Sequence, residues 1–384
     1  MPRVLMLLSN AFDPDPRVHS EAVSLVRHGY GVTILCWDRD RARPARETVG
    51  GIEVLRLYLR STHGRGATQA FFLALFWILA LWRGVRLQYD VVHAHDFDCL
   101  PLGWVLARVK RARLLYDSHE HYASMVSQSL PRWLLGIITF LEDRLVRRVD
   151  CLVTVGDILR EDFGRRGARH AVVVGNWKRV EQFAVNPDIV RDKRREMGIA
   201  DTSLVVGYVV RLDGSRKLVE LIEAVARTPA VECIVGGDGP ARPLVEQAAR
   251  QNPRLKYLGF VPPAQVALYT CASDVITYFF DDANPNSRYS APNKLFEALA
   301  AGKAVIAGNF GEIARIVGER ECGIVLDDMS AASIASALSR LASDRALLAG
   351  FQANALEAGR NAYNWARAEE TLLAEYRRLA RERP

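Results

Sequence analysis

Three polar residues at helical spacing in the segment 289–309 have the chemistry to bind a phosphate. Asn293 and Lys294 follow Pro292, which suits the first turn of a helix because its missing N–H is not needed there. Free N–H groups and the helix dipole favour an anion at such a terminus. Glu297 follows at i+4 from Asn293, on the same face. The pattern suits a nucleoside diphosphate, with phosphate at the amides and Lys294 and the ribose hydroxyls at Glu297. An ordinary solvated helix is the alternative.

Two cations flank a second predicted strand-to-helix turn. Arg211 follows a strand predicted over 204–210, and Lys217 opens the next helix. Such a pair suits a diphosphate, which carries charge on both sides of the bond that breaks, although surface ion pairing would need the same residues. After the following strand, Gly237 and Gly239 permit either close approach to a ligand or a tight turn.

Histidines and carboxylates follow two predicted strands in the first half of the chain. In open α/β sheets, ligands bind outside the carboxyl ends of the strands, so we expect these side chains to face a cleft. A metal site is the less favoured alternative, because strand ends of α/β enzymes often gather polar groups. The cluster comprises His93, His95, Asp96, Asp117, His119 and Glu120.

The elements that must position these residues alternate between strand and helix in both halves. A chain of 384 residues exceeds one comfortable core. We therefore predict an α/β protein with two doubly wound domains, one over 1–180 and one over 190–362, joined by a linker around 176–190. A charged amphipathic helix over 363–384 is expected to pack back on the first domain.

Charge and cysteine usage narrow the partners and the compartment. The first 180 residues hold 26 Lys and Arg against 18 Asp and Glu, whereas the rest hold 25 against 26. A basic first half indicates an anionic acceptor or surface; a membrane leaflet fits better than nucleic acid, whose aromatic-basic motifs are absent. The six cysteines are scattered, which indicates reduced, buried thiols and a cytoplasmic protein, peripheral at most at the inner face of the membrane.

An apolar run over 70–82, AFFLALFWILALW, could be a membrane feature. It is shorter than the roughly 20 residues that span a bilayer. We favour a buried helix; the alternative is a helix in the membrane interface, anchored by Trp77, Trp82, Arg83 and Arg86.

The segment YSAPNKLFEALAAGKAVIAGN resembles the donor-site signature of GT-B glycosyltransferases, specifically the large retaining family numbered four. The resemblance implies a GT-B fold, in which two Rossmann-like doubly wound domains face a central cleft, the acceptor domain first. GYVVRLDGSRKLVELIEA resembles the family's diphosphate segment, which implies that Arg211 and Lys217 stabilise the leaving group. The donor-binding residues implied are Gly237, Gly239, Phe260, Val261, Asn293, Lys294, Leu295 and Glu297.

The first half also resembles the family. His119 in DSHEHY matches a strand-end histidine that approaches the transferred sugar, with His121 as competitor. AFDPDPRVHSEAVSL resembles a subset of the family in which Arg17, with Asp13 in the same loop, would bind the acceptor. One departure is clear: the first glutamate of the family's Glu-x7-Glu motif falls at Tyr289, so sugar specificity does not carry over.

The resemblance implies transfer of a sugar from a nucleoside-diphosphate sugar to an acceptor hydroxyl with retention at the anomeric carbon. The acceptor would be a lipid-linked or cell-surface glycan precursor, or a small molecule. No metal or other cofactor is expected, because Arg211, Lys217 and the helix amides would stabilise the negative charge of the diphosphate in place of a metal ion. Two alternatives stay open: a nucleotide-sugar 2-epimerase, which Tyr289 disfavours, and a non-catalytic nucleotide-sugar-binding partner subunit.

Overall fold

The computed structural model describes residues 1–13, 15–61, 67–214, 216–280 and 284–381. The chain divides into two compact units, Met1–Gly175 with Ala368–Pro384, and Asn176–Arg367. Each unit is an α/β fold built on one largely parallel sheet, which confirms the predicted fold class.

The first unit has an eight-stranded sheet in the order β3-β4-β2-β1-β5-β6-β7-β8, parallel except for the edge strand β3. The strand β1 is buried from Val4 to Leu8, as expected for a parallel strand covered on both faces. The strands are β1 (Arg3–Leu8), β2 (Gly31–Asp38), β3 (Arg46–Val49), β4 (Ile52–Tyr58), β5 (Val91–His95), β6 (Arg113–Ser118), β7 (Cys151–Thr154) and β8 (Ala171–Val173). The helices are α1 (Pro16–Arg27), α2 (Ala67–Gly84), α3 (Leu100–Lys110), α4 (Tyr122–Met125), α5 (Arg132–Val146) and α6 (Asp157–Arg165).

The second unit has a six-stranded parallel sheet in the order β11-β10-β9-β12-β13-β14. Its strands are β9 (Leu204–Val209), β10 (Val231–Gly236), β11 (Leu255–Tyr257), β12 (Val275–Tyr278), β13 (Ala304–Gly308) and β14 (Gly323–Leu326). Its helices are α7 (Pro187–Glu196), α8 (Leu218–Arg227), α9 (Arg242–Gln251), α10 (Pro263–Cys271), α11 (Asn293–Ala300), α12 (Gly311–Glu319), α13 (Ala331–Ser343) and α14 (Arg345–Asn361). A last helix, α15 (Trp365–Arg381), begins in this unit and belongs to the first from Ala368 onward.

The helix α15 contacts the first unit through one face. Leu372 and Tyr376 are fully buried, and the Tyr376 hydroxyl lies 2.9 Å from Nδ1 of His93. Glu375 lies 2.8 Å from Nε2 of His170. Residues 382–384 of the predicted helix lie outside the described residues.

Local structure departs from the sequence-based expectation in two places. The end of the predicted linker region forms the first turn of α7, which begins after Asn186; the Asn186 side chain accepts from the N–H of Asp188, and Pro187 occupies the first turn. These are ordinary helix-start signals. In α11, Pro292 is the N-cap and lies just outside the helix that it was expected to begin.

The prediction that the apolar run forms a buried helix was wrong. In α2, Phe76 and Ala80 are buried, whereas Phe71, Ile78 and Trp82 are more than half exposed. An all-apolar run does not tell which face lacks a packing partner. Among the described residues, no helix has the length and apolar character needed to cross a membrane. All six cysteines are free and buried, as predicted.

Candidate active site

Arg17 and Asp117 form a buried ion pair at the carboxyl edge of the first sheet. Asp15 caps α1 by accepting from the N–H of Val18, which places Arg17 in the first turn. Arg17 donates from Nε and Nη2 to the two oxygens of Asp117 at 2.9 and 2.7 Å, and from Nη1 to the carbonyl of Val174 at 2.6 Å. The Arg17 side chain is only 7% exposed, so these bonds join α1 to β6 and to the end of β8.

The two residues predicted to bind the acceptor therefore lie in different surroundings. Arg17 is held inside the unit, whereas Asp13 forms an ion pair with Arg43 nearer the surface. Acceptor binding by either residue stays a prediction, and for Arg17 it would require a ligand to reach a buried guanidinium.

His119 is held between two carboxylates. Its Nε2 lies 3.0 Å from Oδ2 of Asp117, and its Nδ1 lies 3.2 Å from Oδ2 of Asp96. Burial alone would lower the pKa of His119, but Asp96 and Asp117 together raise this pKa well above its ordinary value. A protonated imidazole donates from both nitrogens and cannot accept a proton. His119 is therefore suited to supply a fixed positive charge, not to act as a general base.

A second layer of titratable groups lies beneath this histidine. Nε2 of His93 lies 3.8 Å from Oε2 of Glu21, and both side chains are fully buried. Burial, with the charge of Asp117 adding to it and Arg17 opposing it, raises the pKa of Glu21 to about 8. Burial and the neighbouring His95 lower the pKa of His93. At neutral pH we therefore expect a protonated Glu21 beside a neutral His93.

Four of these residues could in principle hold a metal ion. Glu21, His93, His95 and Asp117 offer ligand atoms that all lie within 4.8 Å of one another. However, the guanidinium of Arg17 contacts Asp117 at 2.7 Å and lies 3.2 Å from Glu21. A divalent ion would add positive charge directly beside this guanidinium. The contacts favour an ion-paired support for the edge of the sheet over a metal centre.

In the second unit, two glycines let neighbouring loops approach through their backbones. Gly237 has a φ of 135°, and a Cβ there would lie 1.8 Å from the carbonyl oxygen of Val210. Gly239 has a φ of 153°, and its Cβ would lie 2.3 Å from the carbonyl oxygen of Leu212. Both glycines therefore allow the loop after β9 to approach closely, a role that the sequence did not indicate. A donor-binding role for these glycines stays a prediction.

Backbone and ring contacts join the loops at this edge of the sheet. Gly237 donates to the carbonyl of Gly259 after β11, at 2.7 Å, which connects β10 to β11. Leu212 donates to the carbonyl of Asp238 at 3.0 Å, which connects β9 to β10. The guanidinium of Arg216 lies 5.5 Å from the ring centroid of Tyr278, at the end of β12. The loop of Arg211 and Lys217 thus lies between the ends of β10 and β12.

Arg211 and Lys217 differ in how they are held. Arg211 is exposed, and no carboxylate among the described residues forms an ion pair with it. Lys217 has a φ of 50°, in the left-handed region that costs a non-glycine residue about 1–2 kcal/mol. Its Nζ lies 3.7 Å from Glu220, and its charge helps two serine hydroxyls to lower the pKa of Asp328, beyond β14. A strained lysine at the start of a helix is the kind of feature that functional sites retain.

The start of α11 lacks a side-chain cap. Pro292 as N-cap offers no side-chain acceptor, and within the part of the chain that the structure describes no hydrogen bond occupies the amides of Asn293 and Lys294. Nζ of Lys178 donates to Oδ1 of Asn293 at 2.6 Å. The pKa of Lys178 is lowered, mainly by burial. The charge of Glu297 opposes this shift, and the charge of Lys294 adds to it. Two lysines and a free helix terminus therefore converge here.

Glu297 and Lys294 contact each other instead of being separate. Nζ of Lys294 lies 2.6 Å from Oε2 of Glu297, and both side chains are largely buried. The N–H of Leu295 donates to the carbonyl of Pro292. The side chain of Leu295 is buried, so it packs α11 against the core of the unit. A ligand that used Lys294 for phosphate and Glu297 for ribose would share or exchange this ion pair.

The two residues predicted to contact the base differ in exposure. Phe260 is 70% exposed beyond β11 and is free to stack on a ring. Val261 is buried, and its Cγ2 would lie 2.6 Å from a Cβ built on Gly236. The geometry therefore makes Phe260 available to a ligand and gives Val261 a packing role; base contact by either stays a prediction.

Both units match known families. Residues 14–177 match the glycosyl transferase 4-like domain, and residues 201–344 match the glycosyl transferases group 1. The chain belongs to the family 4-like glycosyltransferases of the GT-B fold. The family resemblance predicted from the motifs at 207–224 and 289–309 is thereby confirmed.

Curated relatives of this glycosyltransferase are similar over most of their length. A D-inositol 3-phosphate glycosyltransferase of Corynebacterium urealyticum is 26% identical over 330 residues, covering 79% of this chain and 74% of the relative. A phosphatidyl-myo-inositol mannosyltransferase of Mycolicibacterium smegmatis is 26% identical over 302 residues, covering 75% and 71%.

Solved structures share the fold of the glycosyltransferase at lower identity. A sucrose-phosphate synthase from Thermosynechococcus elongatus has a TM-score of 0.80 at 18% identity, covering 99% of this chain and all of the other. HepE of Anabaena in complex with UDP-glucose has a TM-score of 0.72 at 17% identity, covering 98% and 100%. At such identities the likeness concerns the fold.

Sequence reasoning missed two residues of the glycosyltransferase that lie in these clusters. Lys178 was assigned to a linker, yet it contacts Asn293, 115 residues further along the chain. Glu21 was not among the predicted site residues, yet its side chain is fully buried beside Arg17 and His93. Glu21 does lie four residues after Arg17, which on a helix predicts contact between the two. No comparable local signal identifies Lys178.

Proposed function

We propose that this glycosyltransferase moves a sugar from a nucleoside-diphosphate sugar to an acceptor hydroxyl, with retention at the anomeric carbon. One observation carries the proposal: the uncapped start of α11 lies beside Lys178 and Lys294, at the same sheet edge as Arg211 and Lys217. Such a set of donors suits a diphosphate better than any neutral ligand.

The second unit would supply charge stabilisation during the reaction. In the proposed step, the acceptor oxygen bonds to the anomeric carbon while the bond from that carbon to the diphosphate oxygen breaks. The hydroxyl proton passes to the departing diphosphate. Arg211 and Lys217 would stabilise the negative charge that grows on the leaving group. Because these cations and the α11 amides would offset that charge, the proposal requires no divalent ion.

The first unit would orient the acceptor. His119 carries a fixed positive charge, because Asp96 and Asp117 hold both of its nitrogens. A charged imidazole at the edge of the sheet can donate to a hydroxyl of the acceptor through a rearranged bond. This role differs from proton abstraction, so activity should not depend on a histidine that loses its proton near neutral pH.

The relatives support this choice of substrates. The name of the mycobacterial relative contains a lipid, phosphatidyl-myo-inositol, and the name of the corynebacterial relative contains D-inositol 3-phosphate. HepE was solved with UDP-glucose. We propose that the present enzyme uses a donor of the same chemical class and an acceptor that carries a phosphate.

A thermal-shift screen against UDP-, GDP-, ADP- and dTDP-sugars tests donor binding. A ligand present at 100 times its dissociation constant adds about 2.7 kcal/mol of stability, which is readily measured. Incubation of the binding donor with lipid and soluble acceptors, in the presence and absence of EDTA, then tests transfer and metal independence. The anomeric configuration of the product, read by NMR, tests retention.

The outcomes separate the alternatives. Loss of transfer in EDTA would contradict metal independence, and an inverted product would contradict retention. A 2-epimer of the donor sugar, formed without an acceptor, would point to the epimerase. Nucleotide-sugar binding without turnover on any acceptor would point to a non-catalytic partner subunit.

A further inference from the structure

Three helices of the first unit enclose a cavity of about 860 Å³ that the proposed transfer step does not use. This volume lies within the range of about 300–1,000 Å³ that small-molecule sites occupy. Each helix contributes large apolar side chains to the wall. These include Leu73 and Trp77 of α2, Trp104 and Val105 of α3, and Ile138 and Leu141 of α5.

Two polar atoms in the cavity wall have no partner. Oε1 of Gln69 and Nε1 of Trp104 are buried, and neither has a hydrogen-bond partner among the described residues. Buried polar atoms are seldom left without a partner in folded proteins, because their desolvation then goes uncompensated. An occupant with one donor and one acceptor near the end of a long apolar part would satisfy both.

The mouth of the cavity opens onto an exposed apolar face. Ile137 and Leu141 of α5 line the cavity and are also exposed, and Trp133 on the same helix is 68% exposed. On α2, Phe71 is 65% exposed. Exposed apolar patches of this kind mark interaction sites, and Trp and Phe are typical of residues at a lipid–water interface.

The charge around the cavity favours an anion. The helices α2 and α3 contain basic residues but no Asp or Glu. Arg144 and Arg148 line the cavity, and within the part of the chain that the structure describes no carboxylate pairs with either. Nη1 of Arg148 donates to the backbone carbonyl of Arg144 at 2.7 Å, and the Arg144 guanidinium lies 5.7 Å from the ring centroid of Phe140, so both side chains lie along the same helix. A lipid phosphate is complementary to such a pair.

The cavity also adjoins the cluster around His119. Phe97 and Tyr122 line it, and their ring centroids lie 5.1 Å apart. Phe97 directly follows Asp96, and Tyr122 follows His119 by three residues. The two loops that hold the charged histidine therefore also form part of the cavity wall.

We infer that the acceptor is an anionic lipid whose hydrocarbon chain lies in the cavity between α2, α3 and α5, with its phosphate on Arg144 and Arg148. This inference rests on the proposed sugar transfer and names its acceptor class. The chain is drawn from the bilayer on which Trp133 and Phe71 rest, and the hydroxyl to be glycosylated projects toward the loops of Asp96 and His119. A soluble acceptor would leave the cavity and its unpartnered atoms without an occupant.

Binding of dodecyl phosphate to the full chain, followed by tryptophan fluorescence, tests the cavity, because Trp77 and Trp104 line it. We expect Val105→Phe to weaken this binding by about tenfold or more, since the larger ring displaces several buried methylenes. Val109→Phe is the matched control: Val109 lies one turn further along α3, is exposed and does not line the cavity. Arg144→Gln combined with Arg148→Gln should weaken dodecyl phosphate binding and leave dodecanol binding unchanged.

Transfer assays separate this inference from the proposed function. Val105→Phe should lose transfer to a long-chain lipid phosphate acceptor but keep nucleotide-sugar binding and transfer to a short-chain analogue. Equal effects of Val105→Phe and Val109→Phe, or no dodecyl phosphate binding by the wild type, would contradict lipid binding in the cavity. Neither result would contradict the proposed transfer from a nucleotide-sugar. If Val105→Phe fails to fold, the test uses the variant with Arg144→Gln and Arg148→Gln. Unchanged binding of dodecyl phosphate to that variant would contradict the placement of the phosphate on these two arginines.

Discussion

The carboxyl edges of the two sheets hold charge in opposite ways. In the first unit, Arg17, Asp117 and His119 are paired with one another and largely buried. In the second unit, Arg211 is exposed, and the amides that begin α11 have no capping side chain. At the first edge, the charged side chains pair with one another. At the second edge, the Arg211 guanidinium and the first amides of α11 remain available to an acceptor.

This contrast between the two sheet edges indicates at which edge a bound ligand would supply hydrogen bonds that the protein itself does not make. Two buried charges of opposite sign stabilise each other in the folded protein. When one of them is removed, the other stays buried without a partner, and its desolvation destabilises the fold. Cations without partners gain most from an incoming anion, because no internal bond must first break. We therefore assign a structural and orienting task to the first edge and anion binding to the second. Four predictions test this assignment.

Arg17→Met should destabilise the first unit strongly. The substitution leaves Asp117 buried without its guanidinium, a defect that costs about 3–5 kcal/mol. Hydrogen–deuterium exchange, read separately on peptides of each unit, should show faster exchange in the first unit and little change in the second. Arg43→Met, which removes a surface ion pair with Asp13, is the control and should change neither. Unaltered protection of the first unit in Arg17→Met would mean that this ion pair is free to serve a ligand instead.

Lys217→Gly should impair transfer without loss of stability. Glycine accepts the φ of 50° without strain, so the change removes the charge and keeps the backbone. Loss of one preorganised charge on a leaving group costs about 100- to 1,000-fold in turnover. Arg227→Ala, at the other end of α8, is the matched control and should retain activity. Turnover that survives Lys217→Gly would remove Lys217 from the leaving-group site.

Lys178 should make nucleotide-sugar binding depend on pH. Burial lowers the pKa of Lys178, so its ammonium loses its proton at a lower pH than an ordinary lysine does. A bound diphosphate needs the charged form, and affinity should therefore fall as pH rises through this lowered pKa. The loss should reach about tenfold, since a hydrogen bond to a charged group contributes about 1.5–3 kcal/mol.

Calorimetric titration between neutral and alkaline pH measures this effect. Lys178→Arg should flatten the pH profile, because arginine stays charged throughout the range. Lys178→Met should bind weakly at every pH. A wild-type profile that matches Lys178→Arg would exclude Lys178 from the anion site.

Glu21→Gln should change how stability depends on pH. The folded-state pKa of Glu21, about 8, lies above its ordinary value of 4.5, so the native state holds a proton that the unfolded chain has lost. The stabilisation is complete below the unfolded pKa and falls as pH rises from about 4.5 to 8. The slope is at most about 1.4 kcal/mol per pH unit.

Chemical denaturation across that range compares the two proteins. The wild type should lose stability relative to Glu21→Gln as pH rises, because glutamine has no proton to lose. The facing groups Arg17, Asp117, His93 and Tyr376 are common to both proteins, so the difference isolates Glu21. Parallel stability curves would show that Glu21 is ionised in the folded state.

Much of the fold followed from local patterns. The strand-to-helix turns at Arg211 and Asn293 were located because apolar periodicity and helix-start residues are encoded within a few positions. The exposed face of α2 could not be located in this way, since every position in the run is apolar and only packing decides which side is covered. Gly237 shows the same limit: its sequence did not indicate that the backbone of Val210 would approach it.

By itself, the sequence determined two α/β units, the family, and a helix start suited to an anion, because these depend on residues that are neighbours in the chain. Only the tertiary structure decided that Arg17 pairs with Asp117 and that Lys178 joins Asn293, contacts across 100 and 115 residues. For Arg17 and Asp117 the cause is that strand order, and not sequence distance, brings the carboxyl ends of parallel strands to one edge of the sheet. Partners chosen in that way determine which charges are satisfied and which remain available to a substrate.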